Sequence, residues 1–106
     1  MNEVTTKEQL TLALQQADVV VVSGALALQL RVLVNKEAPL SLPVPNETHR
    51  MAISDAVNYA QKSGLTMRSA LHLVRYVGVS NVIRVLRYYT VALRKADGTE
   101  LILRKK

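Results

Sequence analysis

Residues 69–106 read SALHLVRYVGVSNVIRVLRYYTVALRKADGTELILRKK, and this stretch decides most of what the sequence predicts about the fold. Apolar residues recur at helical spacing on both sides of Gly78, which predicts two helices separated by a Gly-Val-Ser break. Thr66 is the expected N-cap of the first helix. The residues expected to face the core are Met67, Ala70, Leu71, Val74 and Val77 in the first helix and Val82, Val85, Leu86 and Tyr89 in the second.

The end of the same stretch predicts a β-hairpin. Asp97-Gly98 lies between two runs, residues 90–95 and 99–104, that suit β-strands. An Asp-Gly pair favours the tight primed turns that connect antiparallel strands. Both the tip and the tail of this hairpin are basic.

The N-terminal residues predict a helix and a second hairpin. Thr5 and Glu8 have the spacing of a capping box, and apolar residues follow at helical spacing up to Ala17. Residues 19–22 are four valines, which favour a strand. Apolar residues then alternate over residues 26–34, so we expect a second strand and a hairpin over residues 19–35, with a buried helix as the alternative.

All three prolines lie in residues 36–45, which predicts an extended connection. Asn46 is the expected N-cap of the next helix, and Gly64 is expected to end it. The elements together predict an α+β fold: an N-terminal helix and β-hairpin, a helix-turn-helix-like unit and a C-terminal β-hairpin.

The size of the chain favours one compact domain. It has 106 residues and a mass of 11.7 kDa, so we expect a single domain over residues 1–106, with residues 1–35, 36–45 and 46–106 as sub-regions. No cysteine is present, which excludes disulfides and thiolate sites. The start of the chain lacks a secretory signal, and the most apolar run, residues 19–34, is shorter than a membrane span. A soluble, cytoplasmic protein without a membrane partner is the expectation.

Positive charge is concentrated in the second half of the chain. Residues 1–50 hold four basic and five acidic residues, whereas residues 51–106 hold ten basic and three acidic ones. No acid occurs between Asp55 and Asp97, an interval that contains seven cations. A polyanion is the partner that such a distribution favours.

The order of helix, Gly-Val-Ser turn, second helix and β-hairpin resembles winged helix-turn-helix DNA-binding domains. The resemblance covers roughly residues 46–104. It implies that the helix after Gly78 reads DNA, that the C-terminal hairpin acts as the wing, and that the protein is a small transcriptional regulator. Double-stranded DNA is the expected partner, with RNA as an open alternative.

Nine residues are predicted to bind the nucleic acid. Arginine can donate two hydrogen bonds to guanine or to phosphate, asparagine can read adenine, and a serine at a helix N-terminus can hold a phosphate. The resemblance places the two cations near the wing tip at the DNA backbone or minor groove. The predicted site residues are Arg68, Arg75, Ser80, Asn81, Arg84, Arg87, Tyr88, Arg94 and Lys95.

The same sequence argues against catalysis and leaves two other classes of function open. His49 and His72 are the only histidines and lack metal-ligand spacing, so no catalytic residue, metal, cofactor or small-molecule ligand is expected. Residues 26–34 offer an apolar face to a second copy, which predicts a homodimer. The alternatives are a protein-interaction module that binds an acidic partner, and a small ribonuclease-type toxin or other enzyme.

Overall fold

The computed structural model describes residues 2–36 and 53–106. In chain order these residues form β1 (Asn2–Val4), α1 (Lys7–Gln16), β2 (Val19–Ser23), α2 (Gly24–Leu30), a 3₁₀ turn (Arg31–Leu33), α3 (Ile53–Lys62), α4 (Met67–Val77), α5 (Val79–Tyr88), β3 (Tyr89–Leu93) and β4 (Glu100–Lys105). The predicted α+β fold class is confirmed.

The strands form one mixed sheet in the order β1-β2-β4-β3. β1 and β2 are parallel and joined through α1, whereas β4 is antiparallel to both β2 and β3. Tyr89 pairs with Lys105 and Leu93 with Leu101, so the C-terminal hairpin predicted around Asp97-Gly98 is confirmed. Gly98 has φ +78°, a conformation that glycine adopts without a steric cost.

The predicted N-terminal hairpin is wrong in its second strand. β2 forms as expected, but Gly24–Leu30 is helical and leads directly into the 3₁₀ turn. Leu26, Leu30 and Leu33 are buried at helical spacing, while Leu28 and Val32 of the predicted alternating face are 44% and 39% exposed. Leucine and alanine favour helices, and β2 already has β1 and β4 on its two edges, so no position remains for a hairpin partner.

Smaller differences concern the ends of elements. The first capping box lies one residue later than predicted, because Thr6 accepts from the Gln9 amide at 3.2 Å and Gln9 Oε1 accepts from the Thr6 amide at 3.4 Å. Thr66 caps α4 as expected, but Met67, which was expected to face the core, is 64% exposed, and Leu73 is buried instead. The predicted break at residues 78–80 is confined to Gly78. Three parts of the sequence analysis concern residues outside the described ones: the proline-containing connection after Lys36, the helix start predicted at Asn46, and His49.

The helices pack against one face of the sheet. Alternate strand residues such as Val20, Leu103 and Val91, which lie side by side across three strands, face this common core. α5 is the central helix, because it packs against α1, α3 and α4 and then continues into β3. Half of its ten residues are buried: Asn81, Val82, Ile83, Val85 and Leu86.

Asn81 fastens this central helix to its neighbours. Its side chain is 3% exposed. The amide nitrogen donates to the carbonyl oxygens of Lys7 at 3.2 Å and Val77 at 3.0 Å, and the amide oxygen accepts from the Thr11 hydroxyl at 3.1 Å. The nitrogen and the oxygen of this buried amide are therefore both hydrogen-bonded, and the bonds link α1, α4 and α5.

Replacing Asn81 with leucine keeps much of the side-chain volume but removes these hydrogen bonds. The Lys7 carbonyl and the Thr11 hydroxyl then lose a partner, so we expect the free energy of unfolding to fall by about 2–3 kcal/mol. Urea denaturation followed by circular dichroism measures the change, with Ser80→Ala on the preceding residue as the control. An unchanged midpoint for Asn81→Leu would show that this amide does not hold the helices together.

Candidate nucleic-acid interface

The position of the candidate site depends on the junction between α5 and β3. α5 ends at Tyr88 and β3 begins at Tyr89, with no residue between them. The Tyr89 amide donates to the Val85 carbonyl and so caps the helix, and its buried hydroxyl donates towards the carbonyl oxygens of Leu14 at 3.2 Å and Ala17 at 2.6 Å. This junction leaves Tyr88 pointing away from the core, with 41% of it exposed.

The surroundings of the Tyr89 hydroxyl favour its neutral form. Burial raises the pKa of Tyr89 above its ordinary value; nearby Asp18 adds to the shift and Arg84 opposes it. The ring is therefore an uncharged part of the core at neutral pH, and the charge of the site comes from the residues around it.

A surface cleft of about 410 Å³ lies beside this junction. α1 forms one side of it through Leu14 and Gln15, and α5 and the hairpin form the other. We call it the basic cleft. Its lining residues are Leu14, Gln15, Arg84, Tyr88, Tyr89 and Lys105.

Further cations surround the basic cleft because β4 ends where α5 ends. The register that pairs Tyr89 with Lys105 brings the basic tail of the hairpin alongside the last turn of α5. The Lys106 amide donates to the Tyr88 carbonyl at 2.8 Å, and its Nζ donates to the Leu86 carbonyl at 3.3 Å. In the part of the chain that the structure describes, the last two turns of α5 and the end of β4 carry five cations: Arg84, Arg87, Arg104, Lys105 and Lys106. Asp18 is an acid beside them, since its backbone carbonyl accepts from the Lys105 amide at 2.7 Å.

Three of the nine predicted site residues lie at this end of the molecule: Arg84, Arg87 and Tyr88. Arg84 and Tyr88 line the cleft directly. Arg87 is half-buried on the side of α5 that faces α3. It lies near Tyr59 of α3: burial raises the pKa of Tyr59, and the positive charge of Arg87 opposes that rise. The structure therefore keeps part of the predicted site, at the C-terminal turns of α5.

Asn81 and Ser80 do not belong to this surface. Asn81 is buried with its amide bonded to protein groups, so the predicted reading of adenine is sterically unavailable to it. Ser80 is half-buried in the first turn of α5. Tyr88 follows Ser80 by eight positions along the helix, a rise of about 12 Å.

The two cations of the predicted wing tip are paired with a carboxylate. Glu100 bridges Arg94 at 3.0 Å and Lys95 at 2.6 Å, and the hydrogen bond from Lys95 holds the pKa of Glu100 below its usual value. Asp97, which lies between Lys95 and Glu100 in the sequence, adds a second carboxylate. The tip also lies at the far end of the hairpin from Lys105, about 15 Å along the strands. Arg94 and Lys95 are therefore neither part of the basic cleft nor an excess of positive charge.

Arg68 and Arg75 form a separate surface. Both lie on the exposed face of α4, and Arg68 borders α2 and the 3₁₀ turn rather than α5. The structure thus does not bring the nine predicted residues together on one face. It adds three that the site prediction omitted, Arg104, Lys105 and Lys106. A two-residue turn at Asp97-Gly98 would have set Lys106 opposite Tyr89, whereas the structure sets Lys105 there.

Comparisons with known proteins do not assign a function to this surface. No family model matches the chain, and neither a curated protein nor a solved structure matches it. The resemblance to winged helix-turn-helix domains stays a prediction. None of the described helices is long and apolar enough to cross a membrane, and within residues 2–36 and 53–106 no group of three or more histidine and acidic side chains could hold a metal ion.

The raised pKa of Tyr89 predicts a loss of stability at high pH. The neutral hydroxyl is favoured in the folded state, so its contribution is present below the unfolded pKa of about 10 and is lost as the pH rises through the folded pKa. Tyr89→Phe should unfold about 1 kcal/mol more easily at pH 7 and show a shallower loss of stability above pH 10 than the unmodified protein. Urea denaturation between pH 7 and 11 measures both effects. Parallel pH profiles for the two proteins would contradict this role of the hydroxyl.

Proposed function

We propose that the chain binds double-stranded DNA through the basic cleft and the cations around it. The observation that carries the proposal is the exposed Tyr88, which lines the cleft together with Arg84 and Lys105. Among the described residues, Arg87, Arg104 and Lys106 add further positive charge next to them in the helix and the hairpin. Cations brought together in this way attract phosphates, and binding then releases counterions from the DNA. Arginine adds planar, two-point hydrogen bonding to phosphate.

The burial of α5 defines how such a complex would form. Because α5 packs against three other helices, its middle is buried. Solvent reaches its first turn at Val79 and Ser80 and its last turns at Arg84, Arg87 and Tyr88. A helix held in this way cannot lie along the major groove over its whole length. Contacts to the DNA backbone would therefore dominate, and sequence preference would be low.

A duplex suits this surface better than a single strand. Single-strand binding proteins stack successive bases on several aromatic rings along a groove. Among the described residues, the basic cleft presents Tyr88 as its one exposed ring, since Tyr89 is buried. A surface that offers cations to the phosphates and only one exposed ring to the bases suits a duplex.

The other predicted properties are compatible with this proposal and are not needed for it. Transcriptional regulation would require a preferred DNA sequence. Because Asn81 is buried, residues other than Asn81 would have to recognise the bases. Homodimer formation and a cytoplasmic location also stay predictions. The protein-binding alternative draws on a different surface, described below.

Removing two cations of the cleft should weaken DNA binding in a way that depends on salt. For Arg84→Gln/Lys105→Gln we expect lower affinity for a labelled 20-base-pair duplex of arbitrary sequence. We also expect the slope of log affinity against log salt to become shallower by about 1.8, which is about 0.9 for each phosphate that the variant no longer neutralises. Fluorescence anisotropy titrations between 50 and 200 mM salt measure both quantities.

The matched control is Lys7→Gln/Arg68→Gln, which removes the same charge from exposed positions on α1 and α4. It should leave the slope within the error of the unmodified protein, because neither residue lines the cleft. If both double variants lower the affinity equally, net charge alone attracts DNA and the basic cleft is not the binding site.

A further inference from the structure

A second surface feature, independent of the basic cleft, lies between α2, the 3₁₀ turn and α4. It is a groove of about 300 Å³, near the lower end of the range for ligand pockets. We call it the α2–α4 groove. Its lining residues are Leu28, Gln29, Val32, Arg68, Ser69, His72 and Leu73.

The two walls of the groove are connected, and its apolar groups are accessible. His72 Nε2 and Gln29 Oε1 are hydrogen-bonded at 2.9 Å, which ties α4 to α2. Leu73 is buried at the base, whereas Leu28 and Val32 are both more than a third exposed. Exposed apolar side chains beside a concave surface give a partner's apolar side chains a place to pack.

Among the residues that the structure describes, the formal charge along the groove is positive. Arg68 lines it, and Arg75 follows seven residues later on the same face of α4. α2, the 3₁₀ turn and α4 contain no aspartate or glutamate. The occupant that this arrangement complements combines an apolar stripe with carboxylates beside it.

We propose that the α2–α4 groove binds an acidic amphipathic helix of another protein. α4 has 11 residues and is about 16 Å long, which matches about three turns of a partner helix. Apolar side chains of such a helix at positions i, i+3 and i+7 would contact Leu28, Val32 and Leu73. Carboxylates beside that stripe would accept from Arg68 and Arg75.

Charge distinguishes this occupant from a second copy of the chain and from DNA. A two-fold contact places the same patch on both sides, so Arg68 and Arg75 of one copy would face those of the other. Phosphates would satisfy the two arginines but leave Leu28 and Val32 without apolar partners. An acidic amphipathic helix satisfies both parts of the groove.

Two designed peptides provide the probe. The first is an 18-residue helical peptide with leucine at i, i+3, i+7 and i+11 and glutamate at the flanking positions; the second carries lysine in place of each glutamate. We expect the unmodified protein to bind the glutamate peptide at least tenfold more tightly, measured by fluorescence anisotropy. Arg68→Glu/Arg75→Glu should reverse this preference, and Leu28→Ser/Val32→Ser should weaken binding of the glutamate peptide at least fivefold.

Lys7→Glu is the control for the change of charge, because it lies on α1 outside the groove; it should keep the preference of the unmodified protein. The substituted side chains are solvent-exposed, and circular dichroism of each variant establishes that it is folded. The proposal is overturned if neither peptide binds, if both bind equally, or if the charge-reversed variant keeps its preference. It is also overturned if sedimentation shows self-association that Leu28→Ser/Val32→Ser removes, or if duplex DNA displaces the glutamate peptide.

Discussion

The structure depends on the direct passage from α5 into β3 at Tyr89. This residue caps the central helix, starts a strand, fills the core and donates towards two carbonyl oxygens in the last turn and C-cap of α1. Because no linker separates the helix from the strand, the direction of α5 and the position of the hairpin are set together. The same junction turns Tyr88 outwards and brings Lys105 next to it. The candidate site is therefore a consequence of the packing that holds the fold.

The net charge of +6 is divided among surfaces with different chemistry. At the open end of the hairpin, Arg84 and Lys105 line a cleft beside an exposed ring. At the hairpin tip, Glu100 pairs with Arg94 and Lys95. On α4, Arg68 lines a groove together with exposed aliphatic side chains. The partners that we propose follow this division: phosphates for the first surface and an acidic amphipathic helix for the third.

The sequence was sufficient to predict elements whose signals are local. Asp97-Gly98 predicted the hairpin, and apolar spacing with Thr66 predicted α4. α2 was missed because the apolar residues in 26–34 fit both a strand period of two and a helical period. What excludes the strand is β1, a three-residue strand that already pairs with the edge of β2. The site was only partly predictable for a similar reason. The burial of Asn81 depends on Lys7 and Thr11, about 70 residues earlier in the chain, and local spacing does not reveal that contact.

We propose the open end of the hairpin and the last turns of α5 as the DNA-binding surface. An NMR titration of the ¹⁵N-labelled protein with a short DNA duplex at 50 mM salt tests this placement residue by residue. We expect the largest shifts in backbone amide signals in residues 84–88 and 104–106. Shifts concentrated instead on the exposed face of α4 or on residues 94–98 at the hairpin tip would contradict it, as would the absence of any shift.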